Sequence, residues 1–208
     1  MTFPNFPATL SSRLAEDDEA PDTGSVKTSR LVDKHYFDSR IVMITGEITH
    51  TLAERVCVNL FALAQAGNDP ITVIISSPGG HVESGDMVHD MIKFIKPRVR
   101  VLGSGWVASA GALIYIAADK EDRYILPNTR FLLHAPSGGV GGKVTDISIQ
   151  AKEMVLMKDR LNKLFADATG QPIKKVEKDT DRDFWLSGTE AIEYGLATHM
   201  ITSMSELK

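Results

Sequence analysis

The stretch RVLGSGWVASAGALIYIAA, residues 100–118, decides the fold class of this chain. Its first part, Arg100–Ser104, has the pattern of a buried strand, and Ala112–Ala118 has that of an apolar helix. Ser109 lies where the strand turns into the helix, and a serine there can present its hydroxyl beside backbone N–H groups, as a nucleophile needs. Taken alone, the segment favours the alternative, a small residue selected for tight packing.

The same alternation of short apolar strands and amphipathic helices continues from Tyr36 onward. Strands are predicted at residues 41–45, 71–75, 100–104, 123–126, 130–133 and 196–202, and helices at 51–66, 84–95, 112–118, 143–169 and from Thr189. This order predicts an α/β fold with largely parallel strands. Sites in such folds form at the carboxyl ends of strands, where this chain has Gly79-Gly80, Ser109 and His134.

Composition limits the class of protein. The chain has 208 residues and a hydrophobic content of 43%, which is enough to build the core of one domain. A net charge of -4 without a basic stripe argues against nucleic-acid binding, and no apolar run is long enough to span a bilayer. The single cysteine, Cys57, has no partner for an internal disulfide, which favours a cytoplasmic location.

The N-terminal segment differs from the rest of the chain. It contains three prolines, few large apolar residues and the acidic run Glu16–Glu19, and it lacks the apolar core of a signal peptide. Residues 1–33 are therefore predicted to be a flexible acidic arm, and residues 34–208 a single folded domain.

His134 ends an apolar strand and precedes a glycine-rich segment, residues 138–142. Taken alone, such a histidine is more often a hydrogen-bonded core residue than a catalytic base. The glycines, however, suit a backbone that approaches another chain closely, and an extended segment can pair with a bound peptide as an added strand. A flexible connection to the long helix is the alternative.

An acidic partner for the histidine is expected from the segment DTDRD, which contains Asp179, Asp181 and Asp183. Three aspartates this close usually mark a solvated turn, but Phe184 and Trp185 follow at once, so the segment is expected to return to the core. One carboxylate could then orient the imidazole and stabilise its charged form. Spacing alone leaves the choice among the three aspartates open.

Backbone N–H groups complete the predicted site. Gly80 supplies a flexible amide after the second strand, and Ala110 supplies the amide that follows the serine; together they would form a two-donor oxyanion hole. The remaining histidines lack metal-ligand spacing, so no metal site is predicted. No glycine-rich phosphate loop is present either, which argues against nucleotide binding by this chain.

The order of these motifs resembles that of the ClpP family, the proteolytic subunits of the ATP-dependent Clp protease. The resemblance runs from about Lys34 to the C-terminus and rests on SPGG at 77–80, ASAGA at 108–112, LPNTR at 126–130, LHAPSGG at 133–139, DTDRD at 179–183 and EAIEYG at 190–195. The chain order serine, histidine, aspartate also differs from the order serine, acid, histidine of α/β-hydrolases.

The resemblance implies a ClpP/crotonase-type fold, a single domain with a protruding long helix, and serine endopeptidase activity. It implies that Ser109 is the nucleophile, His134 the general base and Asp183 the acid that orients it. Gly80 and Ala110 match the oxyanion-hole amides.

The resemblance also implies an assembly and partners. The family stacks two heptameric rings into a chamber, and the ring contact would involve the helix at 143–169, the strand before it and Arg182. Substrate polypeptide would pair with that strand, at Gly138, Gly139, Val140 and Gly141. An AAA+ ATPase partner would use ATP to feed substrates, while this chain itself would need no cofactor.

Three departures from the family pattern weaken part of this expectation. The N-terminal arm differs in character, and Ala135 stands where the family commonly has glutamine. Thr72 and Ile74 stand where the family commonly has aromatic residues in the pocket that docks the ATPase. Other residues of this chain keep that pocket partly apolar: Phe94, Tyr124 and Leu126. These differences suggest weaker docking and a subunit that works in mixed rings.

Two other functions compete with this interpretation. A weakly active or structural subunit of a mixed ring would be expected to lack a triad residue, yet Ser109, His134 and Asp183 are all present. A crotonase-like acyl-CoA enzyme also uses backbone amides to hold an oxyanion, but it would need neither this triad nor the glycine-rich segment.

Overall fold

Residues 30–208, the part of the chain that this computed structural model describes, alternate between strands and helices. The strands are β1 Ile41–Thr45, β2 Ile71–Ser77, β3 Val99–Ala108, β4 Arg123–Ile125, β5 Arg130–Leu133, β6 Phe184–Ser187 and β7 His199–Met200. The α-helices are α1 Arg30–Asp38, α2 His50–Ala66, α3 Val82–Phe94, α4 Ala110–Tyr115, α5 Val144–Thr169, α6 Ile173–Asp179 and α7 Gly188–Tyr194. The predicted α/β fold is confirmed.

The sheet has the order β1-β2-β3-β4-β7, and all of these neighbours run parallel. Strand β3 is long enough to serve two partners in succession. Its first half pairs with β4, and its last residues, Trp106–Ala108, pair in parallel with β5. Strand β6 then adds to β5 in antiparallel direction. The C-terminal ends of β3 and β5 and the N-terminal end of β6 therefore lie at the same edge of the sheet.

The core lies where the helices pack on the sheet. Strands β2 and β3 contribute side chains that are almost completely buried, such as Val73 and Val101, and α2 buries a stripe that includes Val56 and Leu60. This stripe has the spacing predicted from the sequence, because residues four apart lie on one face of a helix. The short apolar helix α4 is buried along its whole length beneath α3.

Helix α5 packs on the core only through its C-terminal half. Leu161 and Phe165 are buried there, and Gly170 ends the helix with a φ of 77°, a conformation that favours glycine. The N-terminal half carries large apolar side chains that are exposed in the single chain: Val144, Ile147, Ile149, Val155 and Leu156. None of the helices within residues 30–208 combines the length and apolar composition needed to cross a membrane.

Several element predictions need correction. Helices α1 and α6 and strand β6 were not predicted, because their segments are too short or too charged to show a clear apolar period. The last strand is shorter than the predicted 196–202, since only His199 and Met200 pair with β4. Residues 1–29 of the predicted arm lie outside the described part of the chain. The boundary of the arm at residue 33 therefore stays a prediction.

Candidate active site

Ser109 occupies a strained turn between β3 and α4. Its φ of 53° and ψ of -120° lie in a region that residues with a Cβ rarely adopt. The N–H of Ser109 donates to the carbonyl of Leu132 on β5 at 2.8 Å, and its carbonyl accepts from the N–H groups of Ala112 and Leu113. Strand pairing on one side and the first helical turn on the other thus hold the serine in this conformation.

His134 and Asp183 lie beside this serine. His134 follows β5, and its Nε2 lies 2.8 Å from Ser109 Oγ. Asp183 precedes β6, and its Oδ1 lies 3.2 Å from His134 Nδ1. The antiparallel register pairs Leu133 with Phe184, so the residues just beyond that pair, His134 and Asp183, are neighbours.

The other two aspartates of the segment have different partners. Asp179 ends α6, where it binds Lys175 Nζ at 2.5 Å and accepts from the Tyr194 hydroxyl at 2.9 Å. Burial, reinforced by the Asp179 carboxylate, raises the pKa of Tyr194 well above its usual value. Asp181 lies 3.6 Å from Lys158 Nζ. Neither carboxylate contacts the histidine, so geometry singles out Asp183.

Gly79 lets the chain after β2 lie directly against the serine turn. A Cβ at this position would lie 2.6 Å from Ser109 Cβ and 3.2 Å from the Ala110 nitrogen, both closer than van der Waals contact allows. Its φ of 97° also favours glycine. The absence of a side chain at Gly79 is therefore what allows the two loops to pack together.

The two predicted oxyanion-hole N–H groups are available for a ligand. Ile48 forms a parallel bridge with Gly80 by donating to the carbonyl of Gly79 and accepting from the N–H of His81, so the Gly80 N–H takes no part in it. The N–H of Ala110 belongs to the first turn of α4, whose donors have no acceptor within the helix. Within residues 30–208, neither N–H has a hydrogen-bond partner.

An apolar cleft opens beside the serine and the histidine. Its walls come from α3, α4, β5 and the C-terminal half of α5, and the apolar residues that line it are Val82, Leu113, Leu133, Pro136, Leu161 and Phe165. The lining of this cleft favours an apolar group over a polar one beside the serine. This wall of the site was not predicted from the sequence; the available signal was the pair Leu161 and Phe165, four residues apart on one helix face.

The glycine-rich segment forms no strand within residues 30–208, and its predicted pairing with a bound peptide or a second chain stays a prediction. Residues 138–141 are exposed and have no strand partner among the described residues. The physical reason is that a strand needs a neighbour to satisfy its backbone groups, and here that neighbour would be a second chain. Arg182 is also exposed, on the turn before Asp183, and has no ion-pair partner within residues 30–208.

Comparison with known proteins points to one family. The family model described as Clp protease matches residues 25–204. The ATP-dependent Clp protease proteolytic subunit 3 of Rhizobium meliloti is 54% identical over 92% of this chain and 98% of its own length. The ATP-dependent Clp protease proteolytic subunit of Paracoccus denitrificans is 60% identical over 80% of this chain and 84% of its own length.

Solved structures agree with the sequence relatives. ClpP1 from Listeria monocytogenes superposes with a TM-score of 0.78 at 51% identity, covering 85% of this chain and 99% of the other. A single-residue variant of it superposes with a TM-score of 0.80 at 52% identity. The predicted ClpP-type fold and serine peptidase activity are thereby confirmed. The chain belongs to the Clp protease family and is a serine-type proteolytic subunit of that family.

Proposed function

We propose that this chain hydrolyses peptide bonds of unfolded polypeptides through Ser109, His134 and Asp183. The observation that carries the proposal is the continuous hydrogen-bonded path from Asp183 Oδ1 through the imidazole to Ser109 Oγ. The N–H groups of Gly80 and Ala110, which have no hydrogen-bond partner within residues 30–208, support it, because acyl transfer needs donors where the oxyanion develops.

In this mechanism Ser109 Oγ attacks the carbonyl carbon of the scissile bond, and His134 Nε2 takes the hydroxyl proton. The carbonyl oxygen becomes an oxyanion that accepts hydrogen bonds from Gly80 and Ala110. The C–N bond then breaks, and His134 returns the proton to the departing amine. A water molecule repeats the attack on the acyl-enzyme, with His134 again as base, and releases the second product. Asp183 holds the imidazole in the required tautomer throughout.

A fluorophosphonate probe tests the assignment of the nucleophile. One probe molecule is expected to attach to each chain, and peptide mapping by mass spectrometry should place it on Ser109. Heat-denatured protein is the control, since it keeps every hydroxyl but loses the arrangement that activates one of them. Labelling of another serine, or equal labelling after denaturation, would contradict the proposal.

The exposed half of α5 supports the proposed stacking of two heptameric rings. Its large apolar side chains, with Val144 84% exposed, form a surface that is unfavourable for an isolated chain in water. The glycine-rich segment beside it has no strand partner in the described part of the chain, and a second chain could supply one. The predicted pairing of Gly138, Gly139, Val140 and Gly141 with peptide, and a ring contact through Arg182, remain part of this proposal.

Light scattering tests the assembly. The active protein is expected to have a mass many times the 22.8 kDa of one chain. The variant Val155→Asp places a charge on the exposed apolar surface of α5. It is expected to reduce both the fraction of protein that is assembled and the peptidase activity. The matched control is Val58→Asp, an equally exposed valine on α2. A monomeric protein with full peptidase activity would refute the proposed rings.

The relatives named as ATP-dependent proteases support an ATPase partner for this chain as well, and ATP would be used by that partner. Thr72 is almost completely buried on β2, Ile74 is half-buried, and Phe94 is 76% exposed at the end of α3. The pocket therefore offers one exposed aromatic ring but no aromatic on β2. We propose that the ATPase docks weakly on rings of this chain alone and that a second ClpP-like subunit strengthens the docking in mixed rings. We also propose that the protein is located in the cytoplasm.

ATP-dependent degradation of a tagged folded protein tests the docking proposal. Rings of this chain alone are expected to cleave short peptides but to degrade the folded substrate slowly, because each missing aromatic contact weakens binding by about 2 kcal/mol. The variant Ile74→Tyr is expected to accelerate degradation without changing peptide cleavage. Rapid degradation by the unmodified rings at low ATPase concentration would show that the pocket docks normally.

A further inference from the structure

Thr180 is the one buried residue between Val176 and Leu186, the stretch that carries Asp183. It lies at the C-terminal end of α6 with 1% of its surface exposed, whereas the three residues that follow it are exposed. Thr180 is therefore the buried anchor on the N-terminal side of Asp183, and the pairing of Phe184 with Leu133 holds the chain on the other side.

The main chain of Thr180 links the segment of the acid to the segment of the base. Its carbonyl accepts a hydrogen bond of 2.7 Å from the N–H of Ala135, which directly follows His134. This hydrogen bond thus fixes the distance between Ala135, next to the base, and Thr180, three residues before Asp183.

The side chain of Thr180 ties the same point to α5. Its Oγ1 lies 2.9 Å from Asn162 Oδ1 and 2.9 Å from the carbonyl oxygen of Val176. Asn162 is buried and follows Leu161, which lines the apolar cleft. The link therefore connects the acid-bearing segment to a wall of the site.

The proton count favours one orientation of the Asn162 amide. The single hydroxyl proton of Thr180 cannot serve two acceptors fully, and Asn162 Nδ2 is buried without a partner within residues 30–208. Turning the amide by half a rotation solves both problems, because Nδ2 then donates to Thr180 Oγ1, and the hydroxyl donates to Val176.

The backbone at Asp183 is held on both sides, by the pairing of Phe184 with Leu133 after it and by the Thr180 anchor before it. The side chain of Asp183 is 66% exposed, and His134 is its only side-chain partner among the described residues. The position of its carboxylate is therefore set by the backbone on both sides of it, and Thr180 controls the N-terminal side. Since a misplacement of about 1 Å can reduce a rate a hundredfold, a loose backbone here would impair catalysis.

We propose that Thr180 and Asn162 are positioning residues, which hold the carboxylate of Asp183 against His134 through their buried hydrogen bond. Neither side chain touches the reacting atoms; both act through Asp183. This inference rests on the triad proposed above.

Replacing Thr180 by valine, which has the same shape, tests the role of the hydroxyl. Thr180→Val is expected to lower kcat for a fluorogenic peptide about tenfold to a hundredfold and to leave KM within about twofold. Thr180→Ser keeps the hydroxyl and is expected to restore most of kcat. Equal kcat values for the valine variant and the wild type would overturn the proposal.

Thr169→Val is the matched control. Thr169 is also buried at the end of a helix, and its hydroxyl donates to the carbonyl four residues earlier, Phe165, as that of Thr180 donates to Val176. Within residues 30–208 its hydroxyl forms no hydrogen bond with the segments of His134 or Asp183, so its loss is expected to lower thermal stability but not kcat. A fall in kcat as large as that of Thr180→Val would mean that any lost buried hydroxyl has this effect.

A double-mutant cycle with Asp183→Asn separates positioning from general destabilisation. The rate of fluorophosphonate labelling of Ser109 is the readout, because it is measurable even in slow variants. Thr180→Val is expected to slow labelling in the wild-type background and to change it less than about twofold when Asp183 is already asparagine. Equal losses in both backgrounds would overturn the proposal.

The outcomes also separate this inference from the proposed triad. If Asp183→Asn itself has no effect, the triad is wrong. If Asp183→Asn impairs the enzyme and Thr180→Val does not, only the positioning role is wrong. Should Thr180→Val fail to assemble by light scattering, Asn162→Ala replaces it, since it removes the same link and leaves the bond from Thr180 to Val176; wild-type kcat in that variant would refute the role.

Discussion

Ser109→Ala is expected to abolish peptidase activity and to leave the fold and the assembly intact. Loss of the nucleophile of a triad lowers kcat about 10⁶-fold, because the three groups act as one unit. Alanine keeps the Cβ of serine, so the strain at the φ of 53° is unchanged. Turnover of a fluorogenic peptide measures the first effect, and thermal unfolding with light scattering measures the second.

Ser104→Ala is the control for this experiment. Ser104 lies on the same strand, β3, but has no contact with the histidine. It is expected to keep full activity. Wild-type turnover by purified Ser109→Ala would show that the hydrolysis uses another nucleophile.

Asp183→Asn is expected to lower kcat about 10⁴-fold, the second largest effect. An asparagine amide in place of the carboxylate favours the wrong tautomer of His134 and cannot stabilise its protonated form. Peptide turnover measures this loss, and unchanged unfolding would show that the exposed carboxylate contributes little to stability.

Asp179→Asn separates the two aspartates, because it is expected to act on stability. Its carboxylate is 17% exposed and partners Lys175 and Tyr194 rather than the histidine. The substitution is expected to lower the free energy of unfolding by about 1–3 kcal/mol with kcat nearly unchanged. If Asp179→Asn abolished activity and Asp183→Asn did not, the assignment of the acid would be reversed.

Local patterns in the sequence determined most of the elements. Apolar runs bounded by glycine and proline located β1 to β5, and residues spaced by four located α2 and α5, because each pattern depends only on neighbours along the chain. The same patterns placed Ser109 and His134 at the ends of strands. The order of short motifs added the family resemblance and, through it, the choice of Asp183.

Only the tertiary structure decided how these residues meet. Spacing alone left Asp179, Asp181 and Asp183 open; the antiparallel register of β5 and β6 is what places Asp183 beside His134, and that register joins strands about fifty residues apart in sequence. The division of β3 between β4 and β5 likewise brings Ser109 beside His134. Pairing of distant strands depends on the free energy of the whole core, which no local pattern contains.

The same limit explains what the sequence missed or left open. Residues 138–141 have no strand partner within residues 30–208, and their predicted pairing needs a bound peptide or a second chain, so that pairing stays a prediction. The positive φ of Ser109 was also invisible in the sequence, since a serine carries no local signal for it. Local sequence thus determined most of the segments that form helices and strands, though not α1, α6 or β6, and the chemical groups that they carry. Contacts between distant segments decided the geometry of the site, because only the folded core supplies the free energy that holds a strained serine beside its histidine.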